Sequence, residues 1–394
     1  MSPFPRPDYR ELTRYGFDRT PVALDLSDNT NQWGTHPAAL EVLRGADTNA
    51  LARYPDLYAD NLRIAAATRL GVPESCIATG CGSDDVLDCA YRAAGGGPGD
   101  FVALASPTFS MAGLLARMNG MEARSVPWSN ALVDPARLLG GGPSLVYVCR
   151  PNNPTGAVAP TEWVGELLSA AESLRGGATR RGGNGQEGSR SGGPLIVLDE
   201  AYVDFGGDTY ADFAARIPGL LVTRTLSKAF GLAGLRIGYA VGTPETILEV
   251  EKARGPYKVS RVAAEAGAAA LRDAEGWVER TVAECVANRR RTEEELARRG
   301  LEPIPSGANF VLFHAPTGDA HADASGIRER GVAARPFTAG MPDGCDGLRV
   351  TVAPWLLMER FFQALDGYRE SLTTVPARRE PTEEAGAPLF GDIR

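Results

Sequence analysis

Three stretches decide the fold: LVYVCRPNNPTG at 145–156, LIVLDEAY at 195–202 and LLVTRTLSKAFGLAGLRIGY at 220–239. Each opens with a short apolar run, Ser144 to Cys149, Pro194 to Leu198 and Leu220 to Leu226, two of them rich in β-branched residues. Runs of that length suit strands buried on both faces better than helices. Leu235 to Val241 reads as a fourth. Each of the three runs then breaks abruptly into polar residues. In an open α/β sheet, ligands bind beyond the carboxyl ends of the strands, where loops and helix N-termini point into a crevice. Taken singly, Pro-Asn-Asn-Pro-Thr-Gly would be a turn. Three successive strand ends carrying an amide, an acid and an amine point instead to one buried site.

Working outward, helical patterns alternate with apolar runs from about residue 60 to 245, which is the order of a mostly parallel sheet flanked by helices. Beyond Gly255 the pattern changes to a long helical stretch from about Val262 to Arg299, followed by strand-like runs at 309–313 and 348–352. The expected organisation is an α/β fold with an N-terminal arm over 1–50, a large domain over 51–254 and a smaller α/β domain over 255–372. Between two of the deciding strands lies RGGATRRGGNGQEGSRSGG, 175–193, which lacks large apolar residues and is expected to be a disordered surface insertion. The segment 373–394, rich in Pro and charge, is expected to have no fixed structure.

Bulk properties exclude several function classes. The chain has 394 residues, 43% hydrophobic and 23% charged, with a net charge of −8. That balance offers no electrostatic footprint for nucleic acid or an anionic membrane. Six scattered cysteines form no CxxC pair and suit a reducing compartment, and three histidines, none at metal-ligand spacing from another, give a catalytic metal little support. The opening segment carries prolines and charges where a signal peptide needs an apolar core, and no stretch approaches a membrane span. A cytoplasmic enzyme is expected.

The residues themselves suggest chemistry. Asp199 ends an apolar strand, an expensive place for a charge without a cationic partner. Lys228 at the next strand end would be desolvated, which disfavours its ammonium form and makes the amine nucleophilic. Gly82, Ser83 and Asp84 precede a helical pattern with apolar Val86, Leu87, Ala90, Tyr91 and Ala94, so their N–H groups can face an anion. Each also has a plainer reading: Lys228 a surface ion pair, Asp199 a cap, Ser83 an N-cap, Asn153 a turn residue, Phe109 and Tyr202 packing.

SDNTNQWG (27–34), YPD (54–56), GCGSDD (80–85), SPTFSM (106–111), RPNNPTG (150–156), DEAYVDF (199–205), TLSKAFGLAGLRIGY (225–239), SGANFVLF (306–313) and GLRVTVAPW (347–355) occur in a telling order. The chain resembles the histidinol-phosphate aminotransferases of the fold-type-I pyridoxal phosphate enzymes, over roughly residues 10 to 370. The resemblance implies that Lys228 carries pyridoxal 5'-phosphate as a Schiff base and then shuttles a proton. It implies that Asp199 bonds the pyridinium nitrogen, that Asn153 and Tyr202 bond the ring hydroxyl and that Phe109 stacks on the ring. Gly82, Ser83, Asp84, Ser227 and Arg236 would cradle the phosphate, joined by Tyr54 from the partner subunit of a homodimer. Arg349, Arg335 and Tyr15 would take the substrate's anionic groups.

The reaction so implied moves an amino group between L-histidinol phosphate and 2-oxoglutarate. An aromatic amino-acid aminotransferase and an amino-acid-phosphate decarboxylase share the same frame. A non-enzymatic regulator on this fold would need an upstream DNA-binding domain, and only about fifty residues precede the main pattern. Some positions depart from the common pattern. Asn29-Thr30-Asn31 lacks the acid that relatives often carry in the middle, Lys258 replaces a usual Asn and is expected to alter the substrate pocket, and Ala112 stands where an aromatic often follows the methionine.

Overall fold

Apolar strand after apolar strand, each too short to be a helix, can only be buried by packing side by side under helices on both faces. The computed structural model describes residues 4–5, 7–14, 16, 18, 20–176 and 193–374. Its strands, in chain order, are β1 (Leu24–Asp25), β2 (Ile77–Cys81), β3 (Phe101–Ser106), β4 (Glu122–Pro127), β5 (Leu145–Cys149), β6 (Leu195–Asp199), β7 (Leu220–Thr225), β8 (Ile237–Val241), β9 (Phe310–His314), β10 (Val332–Ala333), β11 (Arg335–Phe337) and β12 (Gly347–Thr351). Seven form one sheet in the order β2-β8-β7-β6-β5-β3-β4. All neighbours are parallel except β8, which runs antiparallel to both β2 and β7. The expected α/β architecture with a mostly parallel sheet is therefore the observed one, and β5, β7 and β8 are buried along their whole length. Among the described residues no helix is long and apolar enough to cross a membrane.

A three-stranded antiparallel sheet, β11-β12-β9, forms the second layer system, covered by the helices Trp277–Arg298, Ala320–Arg328 and Trp355–Thr374. The N-terminal segment reaches it through β1, which pairs in parallel with β10. Three expectations need correction. The helical stretch from 262 to 299 is two helices, Arg261–Arg272 and Trp277–Arg298, because Asp273 and Gly276 adopt left-handed backbone conformations between them. Asp273 then caps the second helix, accepting from the Trp277 and Val278 N–H groups at 2.9 and 3.1 Å. The fourth strand begins at Ile237 rather than Leu235, because Ala233–Leu235 forms a 3-10 turn and Arg236 sits at φ +52°. The 373–394 segment begins inside the last helix, which runs to Thr374. Residues 375–394, and 177–192 of the glycine-rich stretch, lie outside the described residues.

One contact inside the large sheet sets the position of the site. Gly80 of β2 stands opposite Gly238 of β8, and the helix Ser83–Ala94 starts directly above that pair. A methyl group added at Gly238 would lie 2.2 Å from the Ser83 nitrogen and 2.3 Å from the Gly82 carbonyl carbon, both backbone atoms. The helix N-terminus can approach the sheet only because that side chain is missing. Gly238→Ala is expected to cost about 1–3 kcal/mol of stability, as overpacked sites do, and to push the helix N-terminus off the sheet. Thermal unfolding measures it; an unchanged midpoint would show that the close approach is not a constraint.

Candidate active site

β5, β6 and β7 end level with one another, and the segments after all three strands enter a single cavity of about 460 Å3. β6 delivers Asp199, 3% exposed. Its Oδ2 accepts from the Tyr147 hydroxyl at 2.7 Å, and its Oδ1 from the Thr223 hydroxyl at 3.1 Å and the Ala201 N–H at 3.2 Å. All three donors are neutral. Burial pushes the carboxyl pKa up from 3.8 to about 6, the hydrogen bonds from Tyr147, Thr223 and Ala201 opposing it and the Asp84 charge adding to it. No cation pairs with Asp199 among the described residues, so the cavity presents a buried acid that a cationic ring nitrogen would satisfy.

Lys228 follows β7, the neighbour of β6, and lines the same cavity. Its Nζ donates to the Asp28 carbonyl at 3.1 Å. Burial is the chief cause that brings its pKa down from 10.5 to about 8, with Asp28 opposing and Arg349 reinforcing. An amine so placed is far more available as a nucleophile than an ordinary lysine. Asn31 fixes the loop beneath it, its side-chain amide donating to the Lys228 and Ala229 carbonyls.

A polar network lines the same cavity. The buried Tyr202 hydroxyl accepts from the Asn29 amide at 3.0 Å and the Asn153 amide at 3.4 Å. Asn153 in turn accepts from Arg349 Nη1 at 2.5 Å, and Arg349 Nη2 donates to the Ser27 carbonyl at 2.8 Å. Burial raises the Tyr202 pKa above its ordinary value, so the phenol stays protonated.

The far end of the cavity is the N-terminus of the helix Ser83–Ala94. Gly82 at φ +83° occupies the N-cap position, which corrects the plainer reading of Ser83 as the cap. Ser227, Thr225, Ser83 and Arg236 line this end. Arg236 lies 3.5 Å from the Asp84 carboxylate, and a methyl group on Gly82 would meet Arg236 Nη2 at 2.6 Å. A helix N-terminus without a side-chain cap, facing a guanidinium across a glycine, is suited to a phosphate. These three features together fit pyridoxal 5'-phosphate: an acid lacking a cation, an amine of lowered pKa and an anion cradle.

The structure brings Ser83, Asp84, Phe109, Asn153, Asp199, Tyr202, Ser227, Lys228, Arg236, Arg335 and Arg349 to this one cavity, with Gly82 immediately beside it. Tyr54 lies outside it, 79% exposed and stacked on Tyr257 at 4.8 Å. Tyr15 lies outside the described residues. Lys258 does not line the cavity; it pairs with Asp85 at 2.7 Å, which corrects the expectation that it reshapes the substrate pocket. Ala112 faces the core. Sequence reasoning missed Tyr147, which carries the shortest bond to Asp199, and the backbone of Ser27 and Asp28. The signal for Tyr147 is a tyrosine inside an otherwise apolar buried strand, whose hydroxyl must find a partner.

The aminotransferase class I and II family profile matches residues 21–176 and 189–360. The chain is 35% identical over 328 residues to histidinol-phosphate aminotransferase 2 of Ralstonia nicotianae, covering 80% of this chain and 82% of that one. It is 30% identical over 330 residues to histidinol-phosphate aminotransferase 1 of Trichormus variabilis, covering 84% and 87%. The crystal structure of histidinol-phosphate aminotransferase from Sinorhizobium meliloti in complex with pyridoxal-5'-phosphate superposes with a TM-score of 0.79 at 26% identity, over 94% of this chain and 99% of that one.

The isolated acid generates a test with opposite signs in two states. Because the folded pKa of Asp199 lies above its unfolded value, its stabilising contribution is present below the unfolded pKa and is lost as pH rises through about 6. The loss in cofactor-free protein is at most ~3 kcal/mol. Asp199→Asn removes that loss, so at neutral pH the cofactor-free variant is expected to match or exceed the parent in thermal stability. With pyridoxal phosphate bound the order reverses, because only the carboxylate gains a cationic partner. A variant that is the less stable of the two in the cofactor-free state at neutral pH would show that burial of the charge is not costly.

Proposed function

Because the chain belongs to the class I and II aminotransferases, we propose that it transfers the amino group between L-histidinol phosphate and 2-oxoglutarate, giving imidazole-acetol phosphate and glutamate, a step of histidine biosynthesis. The observation that carries this reading is the pairing of two arginines on the small sheet. Arg335 and Arg349 are direct cross-strand partners of β11 and β12, and both line the cavity that holds the Lys228 amine. Two fixed positive groups on one side of a reactive amine suit a substrate that carries a dianion beyond its amino group, and they also serve the two carboxylates of glutamate.

Pyridoxal phosphate, when bound, supplies an electron-withdrawing ring that stabilises negative charge at the substrate carbon losing its proton. The chain's own residues do the rest. Lys228 would hold the cofactor and, once its Nζ is free, take a proton from that carbon and return it elsewhere, general base and acid in one group. A pKa of about 8 leaves a useful share of the amine unprotonated near neutral pH. Asp199 would keep the ring nitrogen protonated, and Tyr202 with Asn153 would orient the ring hydroxyl. Phe109 would stack on the ring face. Gly82, Ser83, Asp84, Ser227 and Arg236 would hold the phosphate, Asp84 through its N–H since its carboxylate faces Arg236. Arg349, fixed by Asn153 and Ser27, would grip one substrate anion and Arg335 the phosphate. A cytoplasmic homodimer belongs to the same proposal, with Tyr54, exposed on its own chain, completing the phosphate cradle of the partner, and Tyr15 adding a contact to the substrate phosphate.

The cofactor-loaded protein should absorb visible light, and histidinol phosphate added without any oxo acid should bleach that absorption at low concentration. Phenylalanine acting better would make this an aromatic aminotransferase. Release of carbon dioxide from threonine phosphate would make it a decarboxylase. In steady-state kinetics, Arg335→Gln is expected to raise KM for histidinol phosphate by about tenfold or more, the scale of a lost hydrogen bond to a charged group. The change for glutamate should be smaller, since a carboxylate carries less charge than a phosphate. Equal changes for the two substrates would remove Arg335 from phosphate recognition.

A further inference from the structure

At the end of the small sheet, outside the cavity, three side chains of different donor type converge. The imidazole of His314, the carboxylate of Asp343 and the thiol of Cys345 each offer an atom within 4.8 Å of the others. Sheet register brings them together. His314 ends β9 opposite Gly347 of β12, so the chain just before β12 is carried back over the imidazole. That loop is tied down by its own bonds: Met341 N–H to the Cys345 carbonyl at 3.1 Å, and the Asp346 carboxylate to the Ala339 and Ala320 N–H groups at 2.9 and 3.1 Å.

The imidazole is the informative part. Its Nδ1 lies 3.3 Å from the Glu302 carbonyl oxygen, and its Nε2 lies 2.9 Å from Asp343 Oδ2. Both ring nitrogens therefore face acceptors. At 2.9 Å the Nε2–Oδ2 contact is a direct hydrogen bond, so without metal the imidazole's own proton lies between the two atoms, and a metal would take that proton's place. A backbone carbonyl on the remote nitrogen is also the usual way a metal-binding histidine is oriented. The other oxygen of Asp343, Oδ1, accepts from the Cys345 N–H at 3.0 Å, which turns Oδ2 toward the ring and holds the thiol-bearing residue beside it.

We propose that His314 Nε2, Asp343 Oδ2 and Cys345 Sγ form a three-ligand surface site for a borderline divalent transition metal such as Zn2+, with water completing a tetrahedron. One nitrogen, one oxygen and one sulfur are the donor types zinc takes, whereas Mg2+ and Ca2+ require oxygens throughout. The thiol releases its proton on ligation. Asp343 is 53% exposed and the fourth position belongs to solvent, so the metal exchanges rather than being locked in as a structural ion. Occupancy fastens the β11–β12 loop to the end of β9. Arg335 and Arg349 lie two residues along the same strands, so the metal braces the loop that joins the two strands bearing them.

The test is Co2+ titration of the metal-free, cofactor-loaded protein, read as a difference spectrum and followed by Zn2+ competition. Expected is saturable binding of one Co2+ per chain with a near-ultraviolet thiolate charge-transfer band, displaced by Zn2+. Cys345→Ser should abolish the band, and His314→Gln should weaken binding by at least about tenfold. Zn2+ should also raise the unfolding temperature of the parent but of neither variant, and Cys345→Ser should keep its transaminase activity. No saturable binding at millimolar metal overturns the proposal. So does binding of equal strength in the parent and both variants, which would place the metal on the cofactor or another thiol.

Discussion

A carboxylate at the end of a central strand, bonded only by neutral donors, sets the terms for the structure around it. Asp199 is held in place, because β6 is flanked by β5 and β7 and three donors occupy both its carboxylate oxygens. Hydrogen bonds from Tyr147, Thr223 and the Ala201 N–H each favour the ionised form, but they do not neutralise it. The cavity in front of the acid is thus a place where a cation would be stabilised. Everything else at the site is arranged at fixed distances from that point. The amine comes from the adjacent strand end, and the anion cradle comes from a helix that starts above the two glycines of β2 and β8.

A second constraint ties the two sheets to one another through the segment Ser27 to Asn31. Asn29 sits at φ +59°, a conformation that asparagine tolerates better than most residues. From there its N–H donates to the Thr351 hydroxyl, its carbonyl accepts from Asn309 and its amide reaches Tyr202. The first two partners belong to the small sheet's region and the third to the loop after β6. Asp28 meets Lys228 and Ser27 meets Arg349 through their carbonyls. Five residues of irregular chain therefore set the distance between the amine and the arginines, and backbone rather than side chains does most of that work.

This explains what is legible in the sequence. The strand ends can be read because burial dictates their composition, and a polar residue after an apolar run marks where burial stops. Lys228, Asp199 and Asn153 announce themselves in that way. Tyr147 does not, since a tyrosine in a strand looks like packing until its hydroxyl partner in the neighbouring strand is known. The carbonyls of Ser27 and Asp28 carry no residue-type signal at all. Lys258 misleads for the opposite reason: a charge beside the motif looks like part of the pocket, while in space it compensates Asp85. The break at Asp273 is written in the sequence as Asp and Gly three residues apart, but the apolar period on either side masks it. His314, Asp343 and Cys345 have no recognisable spacing because a strand register brings them together.

The arrangement of the two arginines obeys a related electrostatic logic. Like charges placed directly opposite on adjacent strands repel, and in a small antiparallel sheet that repulsion costs stability. Arg349 is nonetheless held firmly, by Asn153 and Ser27 and between the rings of Phe310 and Phe337, each about 5.1 Å from its guanidinium. Neutral acceptors and ring faces help fix that guanidinium in position. Asp199, the lysine amine and the arginine pair thus line one cavity, offering an acid, an amine and two guanidinium groups to whatever enters it.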